Sequence, residues 1–147
     1  MNKDLITINE VTNDGKTIHL YFNSEIGLYV ANYDLRTQAF EETGSDWRDS
    51  SQRMLNVLTP RTVIPVHRHN ETSETVICLR GAVEEVFFNY DGAVLESHVL
   101  RYGAECAAIQ VPRGVYHTCR CLDPGSVIFE AKDRPYNPER TEDFLKV

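Results

Sequence analysis

The stretch HRHNETSETVICLRG, residues 67–81, carries the strongest information about the fold. It opens on His67 and His69, which lie two residues apart at the end of an apolar segment, so in a strand both imidazoles leave the same face. Glu74 follows at the start of the apolar run Thr75–Leu79. Imidazoles and carboxylates are ligand types that divalent transition metals accept, so these residues are candidate metal ligands.

A third histidine stands in a second segment, far along the chain. Pro112-Arg113-Gly114 is followed, after two residues, by His117. Three neutral imidazoles and one carboxylate form a competent site for Zn(II), Fe(II), Mn(II) or Ni(II), and geometry rather than affinity selects among these ions. The alternative is a set of separate surface or core histidines, which is the usual explanation of an isolated His-x-His pair.

Together the two segments resemble the two motifs of the cupin superfamily. The first matches from its histidine pair to its closing glycine, Gly81, and the second matches at its proline, glycine and histidine, with a hairpin of about thirty residues between them. The resemblance implies an all-β fold, the cupin double-stranded β-helix or jelly-roll barrel, with an N-terminal β extension and little helix. It also implies one divalent transition metal per chain (Zn, Fe, Mn or Ni), held by His67, His69, Glu74 and His117.

Three positions depart from the usual cupin motifs. Arg61 and Cys106 stand where the first and second motifs usually open with a glycine, and Gly103 is a candidate to make the second turn instead. Cys121 occupies the position of the asparagine that usually closes the second motif. These departures affect turns and packing, and they leave the four ligand positions intact.

Two further segments resemble the WbuC family of cupin-fold metalloproteins. They are SQRMLNVL at residues 51–58 and FEAK at residues 129–132, the latter followed by Arg134-Pro135-Tyr136; that family often has a glycine at the position of Arg134. The family is associated with gene clusters for bacterial surface polysaccharide. The resemblance implies a metal-binding protein that binds or acts on a small polar ligand, such as a sugar or a sugar nucleotide.

Two other functions stay open beside this one. The first is an Fe(II)-dependent oxygenase, since open positions beside histidine and carboxylate ligands allow oxygen and substrate to bind together. The second is a non-catalytic small-ligand-binding or regulatory cupin. If the chain is an enzyme on a sugar, isomerisation or epimerisation is the first reaction to consider, with the metal polarising a carbonyl or hydroxyl group. The sequence shows no obvious acid–base pair beyond the ligands.

Composition and charge limit the partners. The chain has 147 residues, of which 41% are hydrophobic and 25% charged, enough for one domain with one core. A formal net charge of −7 disfavours nucleic acid and anionic membrane surfaces as partners. No apolar run approaches a membrane span and no secretory signal is visible at the start, so we expect a cytoplasmic protein. We also expect that the barrel binds a small molecule and that the chain forms a homodimer.

The remaining pattern predicts short strands separated by turn residues. We expect a single domain, with residues 1–51 as an extension that packs on the barrel, 52–132 as the barrel and 133–147 as the tail. The polar stretch Glu41–Ser51 favours a loop or a capped helical turn, and the end Glu139–Val147 favours one or two helical turns. The predicted strands are Leu5–Ile8, Thr17–Phe22, Ile26–Ala31, Arg53–Leu58, Thr62–His67, Thr75–Leu79, Ala82–Tyr90, Val94–Leu100, Ala107–Val111, Val115–Leu122 and Ser126–Lys132.

Several residues near the motifs are weighed as additional or competing site residues. Glu71 competes with Glu74 as the carboxylate ligand, but its closer spacing to the histidine pair leaves it in the loop. His19 and His98 have no motif around them and are expected outside the site. An arginine that faced the pocket would suit a carboxylate or phosphate group, solvent exposure being the alternative for each candidate. The candidates are Arg53, Arg68 and Arg113.

The cysteines are expected to be buried, reduced thiols, because no secretory signal favours an oxidising compartment. They are Cys78, Cys106, Cys119 and Cys121. Strand alternation puts Cys78 on the face of Glu74, and Cys119 and Cys121 on the face of His117, so three thiols are predicted to line the barrel wall. Lys132 and Tyr136 are candidates to cover the mouth of the pocket.

Overall fold

The computed structural model describes residues 3–11, 17–23, 31–35, 39–40, 51–134 and 142–145. Every regular element in these ranges is a β-strand, and none of them contains a helix long and apolar enough to cross a membrane. The strands are β1 (Lys3–Val11), β2 (Thr17–Asn23), β3 (Ala31–Asp34), β4 (Ala39–Phe40), β5 (Gln52–Leu58), β6 (His67–His69), β7 (Glu74–Arg80), β8 (Ala82–Phe88), β9 (Val94–Arg101), β10 (Ala108–Val111), β11 (Tyr116–Cys121), β12 (Ser126–Lys132) and β13 (Glu142–Phe144).

The strands form two large sheets and one hairpin. The six-stranded sheet has the order β10-β7-β12-β5-β3-β4, and the five-stranded sheet has the order β13-β6-β11-β8-β9. All the pairings are antiparallel, and β1 pairs only with β2 among the described strands. Some strands that follow one another in the chain, such as β6 and β7, lie in opposite sheets, whereas others, such as β8 and β9, are neighbours in one sheet.

The hydrophobic core lies between the two large sheets. In β7 the buried residues Glu74, Val76 and Cys78 alternate with half-buried ones, so one face of the strand points inward. The inward residues of both sheets form one cluster: Leu58, Val76, Cys78, Val83, Phe87, Leu100, Val111, Cys119, Cys121 and Ile128. Burial of each large aliphatic side chain contributes about 1.5–3 kcal/mol relative to its exposure, so this cluster is the main source of stability.

Tight turns connect the strands where the chain changes sheet or direction. Gly81, between β7 and β8, has φ +71°, and Gly92 closes the β8–β9 hairpin with φ +89°. A left-handed backbone of this kind is strained for other residues. Gly103 also has a positive φ, +78°, in the turn that follows β9, where the sequence predicted that it would replace a missing motif glycine.

Two predicted elements are wrong in the described residues. Residues 62–66 form no strand, and the strand begins only at His67, since Pro65 cannot donate a ladder hydrogen bond. In the tail, Glu142–Phe144 is a strand that pairs with β6 rather than part of a helix. Its backbone pairs with the edge of β6, which would otherwise have unpaired backbone groups. The sequence pattern of the tail does not reveal this contact, because β6 is far away in the chain.

The N-terminal part contributes directly to the main sheet. β3 pairs with β5, and β4 pairs with β3, so residues 31–40 extend the six-stranded sheet beyond the expected barrel boundary. The domain bounds given above remain a prediction. The predicted strand over residues 26–30, the predicted loop or helical turn over residues 41–50, and most of the predicted C-terminal helix lie outside the described residues.

Candidate metal centre

Three histidines meet on the inner face of the five-stranded sheet. β6 and β11 are neighbours in this sheet, and His117 lies directly opposite His67 in the ladder. His69 shares the face of His67 because it lies two residues further along the strand. The ring centres are 4.4 Å apart for His67 and His117 and 5.2 Å apart for His69 and His117. One ring nitrogen from each histidine can be chosen so that all three lie within 4.8 Å of one another.

The turn of the second motif is tied to the first motif by the backbone. The Gly114 N–H donates a hydrogen bond of 2.9 Å to the carbonyl oxygen of His69. Gly114 has φ +81°, a conformation that a glycine adopts at little cost. The Pro-Arg-Gly turn thereby holds the start of β11 against β6, and this fixes the separation of the histidines.

Glu74 reaches the same cluster from the facing sheet. Its Oε2 lies 2.6 Å from Nε2 of His69, and both side chains are almost completely buried. Two ligands that bind one metal at right angles, each about 2.1 Å from it, lie about 3 Å apart. The carboxylate is therefore close enough to His69 for both groups to bind the same ion.

The backbone selects the tautomer of two of the histidines. Nδ1 of His67 lies 2.8 Å from the carbonyl oxygen of Pro65, and Nδ1 of His117 lies 3.0 Å from that of Val115. Since a carbonyl oxygen only accepts, each Nδ1 carries the proton and each Nε2 carries the lone pair. Protein metal sites use the same arrangement, in which an outer hydrogen bond orients each imidazole for its metal.

Electrostatics keep the donors in the protonation states that a metal requires. Burial lowers the pKa of His117 to about 4, so its imidazole is neutral at physiological pH. Burial alone would raise the pKa of Glu74, but the hydrogen bond with His69 and the neighbouring histidines bring it below its ordinary value. A neutral imidazole at His117 and an ionised carboxylate at Glu74 are the states in which these groups bind a metal.

One buried atom indicates directly that the donor set fits a metal. Nε2 of His117 is inaccessible to solvent and has no hydrogen-bond partner among the described residues. An unpaired buried nitrogen is unfavourable, whereas a bound cation would satisfy its lone pair. The four groups that would hold the ion are His67, His69, Glu74 and His117, with three nitrogen donors and one oxygen donor.

The cluster lies on the wall of a cavity of about 200 Å³ between the sheets. The remaining wall combines apolar and ionisable groups, including Glu85, Glu130 and Lys132. Phe144 of β13 also lines it and is 47% exposed, which places this ring at the mouth. The cavity therefore joins the cluster to a space that a small ligand can occupy.

Solved structures of other proteins superpose on this chain. Capsular polysaccharide assembling protein CapF from Staphylococcus aureus superposes with a TM-score of 0.55 at 18% identity, over 67% of this chain and 27% of CapF. L-ribose isomerase from Geodermatophilus obscurus gives 0.55 at 14% identity, over 67% and 59% of the two chains. A mutant of Bacillus subtilis oxalate decarboxylase OxdC gives 0.52 at 16% identity, over 66% and 24%. All three have the cupin fold.

The fold of this chain is the cupin fold. The predicted fold class is thereby confirmed. Residues 31–100 match a family described as a domain of unknown function, DUF6016. No curated protein matches the sequence. The chain spans about a quarter of the length of CapF and of the oxalate decarboxylase, and less than two thirds of the isomerase.

The competing residues lie away from the centre of the cupin barrel. Glu71 is exposed and pairs with Arg134 at 3.0 Å. His98 is partly exposed, lies 2.8 Å from Glu96 and contacts the ring of Phe87. The side chain of His19 lies outside the described part of the structure. The structure therefore brings Glu74, and not Glu71, to the histidine cluster.

No arginine lines the cavity among the described residues. Arg53 donates to the carbonyl oxygens of Gln52 and Lys132, and Arg113 is exposed. Arg68 binds Asp143 at 2.7 Å. Its guanidinium group also stacks over the ring of Tyr116. The distance from its central carbon to the ring centre is 4.8 Å. Each of these arginines thus has a structural contact or faces solvent.

The expectations for the thiols and the mouth are partly wrong. Cys78, Cys119 and Cys121 are buried, but Cys106 is exposed. Only Cys119 lines the cavity, because Cys78 and Cys121 lie deeper, in the apolar cluster. Lys132 is buried in the cavity wall rather than placed over its mouth, and its Nζ donates to the carbonyl oxygen of Arg134. Tyr136 is outside the described residues.

Two residues that line the cavity, Glu85 and Glu130, were not predicted from the sequence. A signal was present for Glu85, since it alternates with Val83 and Phe87 in an apolar strand, and strand alternation puts all three on the inner face. Glu130 lies in the FEAK segment. That segment supported the resemblance to the WbuC family but did not indicate that Glu130 faces the cavity. Glu130 is partly accessible to solvent and lies on the cavity wall.

Proposed function

We propose that this chain is a metal-binding cupin of the WbuC type that binds or acts on a small polar ligand, such as a sugar. A divalent metal is held by His67, His69, Glu74 and His117, with the ligand beside it in the cavity. The observation that carries the proposal is the convergence of three imidazoles and one buried carboxylate on the wall of one cavity. The unpaired Nε2 of His117 supports it further.

The size of the cavity favours a ligand no larger than a monosaccharide. Its volume is about 200 Å³, which is below the roughly 300–1,000 Å³ of pockets for drug-sized molecules. A sugar nucleotide would have to keep its nucleotide outside this space. We therefore propose that the reacting or recognised group is the sugar itself.

The polar groups of the wall favour a ligand that carries hydroxyl groups. The cavity is lined by three carboxyl groups, those of Glu74, Glu85 and Glu130, and by one ammonium group, that of Lys132. Hydroxyl groups of a sugar can accept from Lys132 and donate to the carboxyl groups.

The residues of this chain have separate tasks in the proposal. A bound metal would polarise a carbonyl or hydroxyl oxygen of the ligand. The carbonyl oxygens of Pro65 and Val115 hold the imidazoles of His67 and His117 in the ligating tautomer. The apolar residues Ile64 and Pro65, together with Phe144 at the mouth, limit the access of water to the cavity.

Metal analysis combined with ligand binding tests the proposal. Purified protein loaded with Zn(II), Fe(II), Mn(II) or Ni(II) should carry close to one ion per chain by elemental analysis. Saturation-transfer NMR against free pentoses, free hexoses and nucleotide sugars should then detect sugar binding that His117→Ala removes and His98→Ala retains. A protein that binds no metal, or that binds metal but none of these sugars, contradicts the proposal.

The homodimer, the cytoplasmic location and the link to surface polysaccharide remain predictions of the sequence. CapF is a capsular polysaccharide assembling protein by description, and this agrees with the last of them. Light scattering tests the first, because a monomer at working concentration contradicts it.

A further inference from the structure

Two carboxyl groups that are not among the metal-binding residues face the cavity from opposite sheets. Glu85 lies on β8 of the five-stranded sheet, and Glu130 lies on β12 of the six-stranded sheet. In the ladders Glu85 lies opposite Cys119, and Glu130 lies opposite Val76. Cys119 shares the face of His117 and Val76 shares the face of Glu74. Both carboxyl groups therefore belong to the side of each sheet that carries the metal centre.

One carboxyl oxygen of Glu85 is buried without a hydrogen-bond partner among the described residues. Only 1% of the surface of Glu85 is exposed, and the oxygen in question is Oε2. A buried polar atom in this state destabilises the fold, and native proteins keep few of them. Since the group lines a cavity, a ligand in that cavity is the partner that would satisfy it.

Glu130 has neighbours that favour its charged form. It accepts a hydrogen bond from the side chain of Asn56, and Lys132 lies two residues away on the same face. Burial and the negative charge of Glu74 act in the opposite direction and together raise the pKa of Glu130 to about 8. A cation bound by Glu74 would offset the second of these effects, so Glu130 is the one of the two carboxyl groups whose surroundings favour the carboxylate that accepts a proton.

The surroundings of Glu85 keep it protonated. Burial first, and then the charges of Glu74 and Glu130, raise the pKa of Glu85 well above its ordinary value. The other titratable groups opposite it in the ladders are Cys119 on β11 and His98 on β9, and burial keeps the Cys119 thiol uncharged by raising its pKa. Two carboxyl groups with different proton affinities then face one cavity, which is how acid and base roles are divided in many active sites.

We propose that Glu130 and Glu85 are the base and the acid of a proton transfer on a sugar bound in the cavity. This inference rests on the proposed function. The Glu130 carboxylate takes the proton from the carbon next to the sugar's carbonyl group. The electrons of that C–H bond form the C=C bond of an enediol, while the carbonyl oxygen receives the proton of Glu85. Glu130 then gives its proton to the former carbonyl carbon, and the electrons of the C=C bond form the new C–H bond. The hydroxyl group on the adjacent carbon returns its proton to Glu85 and becomes the new carbonyl group. Both carboxyl groups regain their starting states and the product is the isomeric sugar, so the reaction needs no oxidant or reductant.

The substrate class follows from this chemistry and from the size of the cavity. It is an aldose or ketose, in its open-chain form, with a hydroxyl group next to the carbonyl. A metal beside the carbonyl oxygen would make the neighbouring C–H bond more acidic. The absence of a sequence signal for an acid–base pair is thereby explained, because the two groups come from strands in different sheets.

Infrared spectroscopy tests the state of Glu85 without any substrate. Metal-loaded Glu130→Gln protein, which lacks the other raised carboxyl group, should show at pH 7 the carbonyl stretching band of a protonated carboxylic acid, and adding Glu85→Gln should remove it. Glu84→Gln is the matched control, because the neighbouring Glu84 binds Ser97 at 2.8 Å and Arg120 at 3.5 Å, away from the cavity. Absence of the band in Glu130→Gln, or its persistence in the double variant with Glu85→Gln, overturns the role of Glu85.

Solvent deuterium exchange tests the reaction. Metal-loaded protein is incubated in D₂O with a panel of free pentoses and hexoses, and proton NMR follows the loss of the C–H signal next to the carbonyl. Loss of a general acid or base typically costs about 10²–10⁴ in rate, so Glu130→Gln and Glu85→Gln should each slow exchange at least about 100-fold. Both variants should keep their metal and their saturation-transfer signal from the sugar, and Glu84→Gln should exchange like the wild type.

The outcomes separate this inference from the proposed function. A wild type that binds a sugar and exchanges no proton overturns the acid–base pair but leaves a metal-dependent sugar-binding protein. A wild type that binds no sugar in the panel overturns both. Exchange at an unchanged rate in Glu85→Gln and Glu130→Gln overturns the pair even if the protein is an isomerase.

Discussion

At the scale of single residues, the metal centre depends on individual histidines, and a histidine of the centre can be compared with one that lies outside it. His117→Ala should lower metal affinity strongly, because removing one of four ligands leaves an open position on the ion. His98→Ala should leave the metal content unchanged, since His98 lies on β9 and contacts Phe87 and Glu96. Elemental analysis after dialysis measures both. If His98→Ala empties the site while His117→Ala does not, the second motif has been misassigned.

The choice between the two glutamates can be tested in the same way. Glu74→Gln should reduce metal retention far more than Glu71→Gln, because Glu74 is buried 2.6 Å from His69 while Glu71 is exposed beside Arg134. The amide replacement keeps the size of the side chain and removes its charge. Equal losses in the two variants would argue that the carboxylate is not a ligand.

Glu130 gives the protein a pH dependence of stability that can be predicted with its sign. Burial and Glu74 raise the pKa of Glu130 from 4.5 to about 8 in the folded state. Between these values the folded chain binds more protons than the unfolded chain, so this group's contribution to the unfolding free energy falls as pH rises. Glu130→Gln should therefore flatten the decline over this range in urea titrations made in one metal state. A steeper decline in the variant contradicts the assignment.

At the scale of elements, the turn between β7 and β8 depends on the absence of a side chain. A Cβ on Gly81 would collide with Oγ of Ser126. That oxygen cannot move away easily, since it bonds both backbone groups of Ala82 and the carbonyl oxygen of Asp123. The closing glycine of the first motif is thus required by packing as well as by its φ of +71°.

Gly81→Ala should destabilise the fold more than Gly103→Ala does. Both substitutions force alanine into a left-handed backbone, which costs roughly 1–2 kcal/mol. Nothing lies within 4 Å of a Cβ at Gly103, so only Gly81→Ala adds overpacking of about 1–3 kcal/mol. Chemical denaturation of both variants measures the difference. Equal losses would mean that the turn relaxes without disturbing Ser126.

The strand β13 is attached to β6 by a small number of contacts near the mouth of the cavity. Arg68 binds Asp143 through two nitrogens at 2.7 and 3.0 Å, and the Leu145 N–H donates to Val66 O at 2.8 Å. Asp143→Asn should leave the melting temperature nearly unchanged, because partly exposed ion pairs contribute little. It should raise amide hydrogen exchange at Leu145, since β13 opens more often. Unchanged exchange would show that backbone pairing alone holds the strand.

Most strands could be predicted because their signals are local. Alternation and turn residues such as Asp91-Gly92 predicted β7 to β12 within one or two residues at nearly every end. The tail strand was missed because it forms through a non-local contact with the open edge of β6. The strand over residues 62–66 was wrongly predicted because that segment is mostly apolar, although Pro65 lies within it. Glu130 was missed because its role depends on facing β8 across the barrel, which spacing within one strand does not reveal.

At the scale of the whole molecule, the apolar core and the metal centre occupy different parts of the same barrel. The core cluster contains Leu58, Leu100 and Ile128, all completely buried, whereas the centre joins β6 and β11 of one sheet to β7 of the other. The two regions meet only along the strands that they share. The fold should therefore keep its core when the metal is removed.

Removal of the metal should lower the stability of the barrel without unfolding it. A ligand that binds only the folded state stabilises it by about 3 kcal/mol when its free concentration is roughly 100 times Kd, and a chelator cancels this term. We expect a lower melting temperature with an unchanged β-sheet circular dichroism spectrum at room temperature. His67→Ala should behave like the chelated wild type and respond little to the chelator, since the core does not involve this residue. A chelated protein that loses its circular dichroism signal at room temperature would mean that the ion, rather than the apolar cluster, holds the two sheets together.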